Sequence, residues 1–249
     1  MSNRPRVFVC FDDTDNIDAP RGTGKLARWY AEEIPEDCSV WGVVRQQLLV
    51  HPAIPYTSHN SSACVVVLAP SFDLLDEITE RAIAHVERHA LEGSDPGVCV
   101  APDDHDSLAP LVEFGRLAAT SVTTQNAARR AASRVHLSGH GGTEDGIIGA
   151  AAGVGLTAWG WSGRFVEFGA LRELPDPVTV GELEDLGIIV LPVDRNVISP
   201  RAEDTIATAG WLRPRLWGGC PCVPVVSAAP GHWVAIGKAA LPGADQQES

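Results

Sequence analysis

Apolar positions along residues 1–177 switch between continuous runs and helical spacing. "RVFVCF", Arg6 to Phe11, is an unbroken β-branched and aromatic stretch, which predicts a buried strand. "TGKLARWYAEEI" puts Leu26, Trp29, Tyr30 and Ile34 on one helical face, with Thr23 as its N-cap. "SVWGVVRQQLLV" and "SACVVVLA" predict strands on either side of the turn-rich "HPAIPYTSHNS". "FDLLDEITERAIAHVERHAL" predicts a helix with Leu74, Leu75, Ile78, Ala82, Ile83 and Val86 inward. "DPGVCVAP" reads as a short strand, and Leu108 to Arg134 as Ala-rich helix in two pieces around Thr120 to Thr124. "SGHGGTEDGIIGAAAGVGL" is a Gly-rich loop opening into a helix of small residues, and "RFVEFGALRE" is a strand.

After "LPDP" the texture changes to short strands separated by Pro and Gly, among them "GIIVLPVD", "TIATAGWLRPRLW", "PCVPVVSA" and "HWVAIGKAAL". The expected organisation is a main domain over 1–177, a small β-rich appendage over 178–241 and a disordered tail over 242–249. The fold class is α/β (α+β): a mixed sheet covered by helices, because strands and helices alternate while several links are too short for parallel crossovers.

Charge narrows the partners. The formal net charge is −13, from 19 basic and 32 acidic residues, which argues against a broad nucleic-acid footprint for this chain alone. No apolar run approaches the roughly 20 residues that span a bilayer, and the apolar stretch after the N-terminus is shorter than a secretory core, so a cytoplasmic location is expected. Cys10, Cys38, Cys64 and Cys99 sit within or beside apolar runs, as reduced core thiols do. Cys220 and Cys222, with His232 nearby, offer three ligands to a soft metal, one fewer than structural zinc takes. Homo-oligomer formation is compatible with the sequence.

Asp12, Asp13, Asp15 and Asp18 crowd together directly after the first strand. A polar strand-to-helix loop accounts for one or two acids. A hard cation accounts for more, since Mg2+ takes oxygen ligands, keeps waters and shares phosphates with a substrate. "APRGTGKL" falls short of a phosphate loop, with Ala19 at the first Gly position and Leu26 in place of the metal-binding hydroxyl, yet Lys25 near a helix N-terminus can meet a phosphate. Gly139, Gly141, Gly142 and Gly146 form a second phosphate-binding candidate or a plain turn. In the proline loop Thr57, Ser58, His59, Asn60 and Ser61 either contact a ligand or bond their own backbone.

In this order the motifs resemble the N-terminal kinase-like domain of archaeal tRNA-isoleucine agmatidine synthetase. They are "DDTDN" at Asp12 to Asn16, "HPAIPYTSHNS" at His51 to Ser61, "DPG" at Asp95 to Gly97 and "GIIGAAAGVG" at Gly146 to Gly155. That family uses ATP to activate a tRNA cytidine. The resemblance implies that Asp12, Asp13 and Asp15 hold Mg2+ for bound ATP and that the Gly-rich segment helps line the nucleotide site. Thr23 is the one hydroxyl near the position of a family threonine that becomes phosphorylated. Family bases fall on Thr57, His59 and near Asp145, and the family's RNA-binding domains find no counterpart. The expectation is therefore a Mg2+/ATP-dependent enzyme passing a phosphoryl group to a small-molecule or protein acceptor, with Lys25, His59 and Thr23 as catalytic candidates and Asn60 and Ser61 beside the nucleotide. The alternatives are a non-catalytic nucleotide-binding regulator, a metal-dependent phosphoester hydrolase, and a tRNA-modifying enzyme working with a partner.

Overall fold

A computed structural model describes residues 4–16, 19, 21–54, 60–194, 199–208 and 210–237. Asp18, Thr57, Ser58, His59 and the expected tail over 242–249 lie outside the described residues. The chain forms two compact units, the first ending at Val166 and the second beginning at Glu167.

The first unit contains β1 (Arg6–Asp12), α1 (Thr23–Tyr30), β2 (Ser39–Gln47), β3 (Ser61–Leu68), α2 (Leu75–His89), β4 (Gly97–Pro102), α3 (His105–Ala118), α4 (Gln125–Ala131), β5 (His136–Gly139), α5 (Gly146–Trp159) and β6 (Arg164–Glu167). Its strands lie in the order β5-β4-β1-β3-β2-β6, and β1 is antiparallel to both β3 and β4. The unbroken apolar runs of β1 and β3 have a direct cause: helices cover both faces of the sheet. Phe8, Cys10, Cys64, Val66, Cys99 and Ala101 face α3, α4 and α5. Val7, Val9, Phe11, Val65, Val67, Val98 and Val100 face α1 and α2. With a side-chain period of two, alternation vanishes when both sides are dry.

Four local readings are corrected. The strand read over "RFVEFGALRE" ends at Glu167, and 169–173 are turns. The N-cap of α1 is Gly22, with no side-chain cap, and Thr23 is the first helical residue. The helix stops at Tyr30, where Glu32 and Glu33 N–H groups turn back onto the Trp29 and Tyr30 carbonyls ahead of Pro35. The stretch Leu108 to Arg134 is two helices, but α3 starts earlier, where Asp104 accepts a hydrogen bond from the Ser107 N–H.

The second unit contains β7 (Val178–Thr179), α6 (Val180–Asp185), β8 (Ile189–Pro192), β9 (Thr205–Ala207), β10 (Arg215–Trp217), β11 (Cys220–Ala229) and β12 (His232–Ala235). Gly218 and Gly219, at φ of 60° and 73°, close the β10–β11 hairpin, a turn that needs two left-handed residues. The unit is β-rich as the Pro/Gly spacing predicts, with one short helix added. That helix is held by a capping box: Glu182 accepts from the Thr179 N–H and Thr179 Oγ1 accepts from the Glu182 N–H.

Candidate functional site

Many of the chemistry-bearing residues of the first unit gather around one cavity of about 360 Å³. Its wall combines the end of β1 (Asp12, Asp13, Asp15), the start of α1 (Gly22, Thr23, Gly24, Lys25), β2 and its exit (Arg45, Leu48), Asn60 and Ser61 at the start of β3, Ser121 to Thr123 between α3 and α4, and the start of α5 (Asp145, Gly146, Gly149). The size is at the lower end of small-ligand sites.

The packing of α5 explains why this corner is open to a carboxylate. A Cβ on Gly149 would stand 1.8 Å from Asp12 Oδ2, so the missing side chain is the space Asp12 occupies. Deeper along α5, a Cβ on Gly153 would meet Cys10 Sγ at 2.4 Å, and one on Gly155 the Leu111 carbonyl oxygen at 1.8 Å. The small-residue pattern therefore seats α5 against the sheet and against α3. The same logic joins two distant motifs: a Cβ on Gly97 would be 2.1 Å from the Gly146 carbonyl carbon, and the Gly146 N–H donates to the Asp95 carbonyl.

Electrostatics single out the acids. Burial, with Asp13 beside it, pushes the Asp12 carboxyl up from 3.8 to about 8. Burial, then the charges of Asp95, Asp15 and Asp145, raises Asp13 to about 6. Asp13 also adopts a left-handed backbone at φ 50°, uncommon for a residue with a side chain and frequent at functional sites. Asp12, Asp13 and Asp15 do not bring one oxygen each within 4.8 Å of the others. Mg2+ takes one or two carboxylates and completes its shell with water and phosphate, so not all three could ligate one such ion directly and the rest would act through water. An all-oxygen donor set whose charges repel one another fits a hard cation.

Lys25 is exposed on the rim, its ammonium 5.4 Å from the Trp29 ring centre. Thr23 lines the cavity but is buried, and its Oγ1 accepts from the Thr14 hydroxyl at 3.2 Å. Asn60 uses its amide to hold the Leu49 carbonyl at 2.6 Å, while Ser61 Oγ accepts from Arg45 Nε at 2.9 Å. Of the Gly-rich segment, Gly146 lines the cavity; Gly141 and Gly142 line a second depression with Glu87, Asp95 and His140. Gly139 pairs with Gly97 at the end of β5. The N–H groups of His140, Thr143, Glu144 and Gly146 already donate to Pro96, Asp95, Gly141 and Asp95. Cys220, Cys222 and His232 do not converge; His232 Nδ1 pairs with Thr205 Oγ1, and the Cys222 thiol points to the Trp217 carbonyl.

Sequence reasoning misses Arg45, the one cation inside the apolar run of β2, and Ser121 and Thr123 in the α3–α4 turn. A charge in the middle of a strand buried on either side of it is the available signal for Arg45.

Neither a protein-family model nor a curated protein matches the sequence. Solved structures do. A tRNA fluorescent labelling enzyme is 27% identical with a TM-score of 0.52, the match covering 60% of this chain and 36% of that one. The complex of TiaS, an agmatidine synthetase of an isoleucine tRNA, with that tRNA and ATP is 26% identical, with a TM-score of 0.52 over 61% of this chain and 36% of that one. Its complex with the same tRNA, AMPCPP and agmatine is 26% identical, with a TM-score of 0.50 over the same shares. This chain spans about a third of the length of the structures it matches, and the resemblance read from the motifs is borne out over that part.

Proposed function

We propose that the first unit binds ATP with a divalent cation in the Asp12–Lys25–Arg45 cavity and activates an acceptor by phosphoryl transfer. The observation that carries this reading is the convergence of desolvated carboxylates, two cations and a helix N-terminus on one cavity, in a fold similar to a protein solved with ATP. Asp12, Asp13 and Asp15 would hold Mg2+. When bound, that ion neutralises phosphate oxygens. The start of α1, with Gly22, Thr23 and Gly24, carries the favourable end of a helix dipole and has no acid in its first turn, which suits a phosphate. Lys25 and Arg45 would take the charge of the transferred group, and the acid at Asp145, where a base would repel the ion, is compatible with a nearby cation. Lys25 would fill the role expected of it, and Arg45 would fill the one expected of His59, which lies outside the described residues.

The acceptor divides the reading. The charge of −13 favours a small molecule or protein. A specific feature of the second unit favours tRNA: Arg213 and Arg172 stack on Trp211 at 3.9 and 4.8 Å, and Arg215 on Trp217 at 5.1 Å, a local basic-aromatic surface of the kind that stacks unpaired bases. The TiaS structures, solved with tRNA, support the same alternative. Incubation with γ-labelled ATP, Mg2+ and either unmodified tRNA or a small-molecule panel tests both. Label appearing on, or released with, one acceptor class identifies it. ATP bound but never consumed leaves a regulatory nucleotide-binding protein.

A further inference from the structure

Away from the cavity, Glu33, His85 and His89 each bring a ligand atom within 4.8 Å of the others. His85 and His89 are four residues apart on α2 and share one face, their ring centres 4.7 Å apart. Glu33 approaches from the turn after α1, with Oε2 at 3.1 Å from His85 Nδ1 and Oε1 at 3.6 Å from His89 Nε2. Ligands held about 2.0–2.1 Å from one tetrahedral ion stand roughly 3.3 Å apart. The two observed separations lie near that value, each to a different oxygen of the Glu33 carboxylate, and one ligand atom from each of the three residues lies within 4.8 Å of the others.

His85 supplies an independent argument. It is fully buried, and its Nε2 lies 3.0 Å from the Leu26 carbonyl. A carbonyl only accepts, so Nε2 carries the proton and a neutral ring turns the lone pair of Nδ1 toward the Glu33 carboxylate. Two acceptors then face each other, and Nδ1 is a buried atom without a hydrogen-bond partner. A positive centre between them removes the conflict. An imidazole whose other nitrogen donates to a backbone carbonyl is the usual arrangement around a protein-bound metal.

We propose that Glu33, His85 and His89 form a binding site for a borderline transition-metal ion of the Zn2+ class, distinct from the carboxylate cluster, which suits a hard cation. The set is two imidazoles and one carboxylate, with the fourth position open to solvent on the partly exposed Glu33–His89 side. Arg88, 3.4 Å from Glu33 Oε2 and largely exposed, would give up that contact to the ion. The ion would tie the end of α1 to α2. Trp29 touches both the His89 ring and Lys25, so this clamp bears on the helix whose start lines the cavity.

The test is competition between the metal-free full chain and a chromophoric chelator for Zn2+ alone, with wild type, His89→Ala, Glu33→Gln and Cys220→Ser. One equivalent bound by wild type and by Cys220→Ser, with affinity on the order of a hundredfold lower in the other two, is the expected result. No stoichiometric binding by wild type overturns the site and leaves a proton between His85 and Glu33. Loss in Cys220→Ser with retention in His89→Ala overturns it in favour of the thiols. Co2+ on wild type gives a readout that needs no variant to fold: visible ligand-field bands without a thiolate charge-transfer band are expected, and a thiolate band contradicts the assignment. None of these outcomes depends on ATP binding.

Discussion

Asp12 of β1 and Gly149 of α5 are fitted to each other: the carboxylate fills the volume that any side chain at 149 would need, with Oδ2 1.8 Å from where its Cβ would stand. A helix laid this close to a strand end holds an acid at the floor of a cavity, where water alone solvates it poorly. Gly149→Ala is therefore expected to displace Asp12, weaken Mg2+-dependent ATP binding at least tenfold, and cost about 1–3 kcal/mol of stability through overpacking. Titration calorimetry and chemical denaturation read the two effects separately.

The raised carboxyls make stability pH-dependent in a stated direction. Asp12 and Asp13 hold protons in the folded state up to about 8 and about 6, against an ordinary value of 3.8. Their favourable contribution is thus complete below the ordinary value and is lost as pH rises through the folded values. Denaturation midpoints in the absence of divalent cations should fall between about pH 4 and about pH 8, and Asp12→Asn should flatten the fall. Mg2+ should restore more stability at the higher pH, because it binds the ionised form.

Arg45 is the cavity cation fixed by a neighbour, with Nε on Ser61 Oγ at 2.9 Å. Replacing a positioned donor at the transferring group typically costs on the order of a hundredfold in turnover. Arg45→Gln should do so while largely sparing ATP affinity; equal losses in both would move Arg45 from transfer to ground-state binding.

The phenol of Tyr30 donates to the Ile78 carbonyl at 2.8 Å, joining α1 to α2 inside the core. Tyr30→Phe should cost about 1 kcal/mol, read by urea denaturation, with the fold retained.

Trp211→Ala, in the second unit, separates the acceptor classes. A base-stacking role predicts roughly tenfold or greater loss of tRNA affinity with ATP binding unchanged; unaltered tRNA affinity argues for a small acceptor.

Much of this architecture is written in local pattern. The strands buried on both faces are legible because unbroken runs such as Val7 to Phe11 have no polar side to hide. Asp12, Asp13, Thr23, Lys25 and Gly146 are legible as residues to compare because they cluster in motifs, and the fold brings them to one cavity. What is not legible depends on partners distant in the chain. The strand β5, "HLSG", has no apolar alternation and exists because β4 offers it an edge. Glu33 and the α2 histidines are far apart in sequence, and only the packing of α1 on α2 joins them. The N–H donors of the Gly-rich loop read as available for phosphate in the sequence, whereas in the fold the "DPG" turn accepts several of them. The Thr-x-x-Glu signal of α6 stands at Thr179 to Glu182, but the short-strand texture around it hides a helix of six residues.

Asp12, Asp13 and Asp15 are proposed to hold a metal–nucleotide complex, in part through water. Calorimetric titration of ATP into the protein, with and without Mg2+, on wild type and Asp13→Ala, tests this most directly. Binding that requires Mg2+ and disappears in Asp13→Ala is the predicted result. ATP binding that ignores both the metal and the substitution, or no binding under any condition, would contradict it.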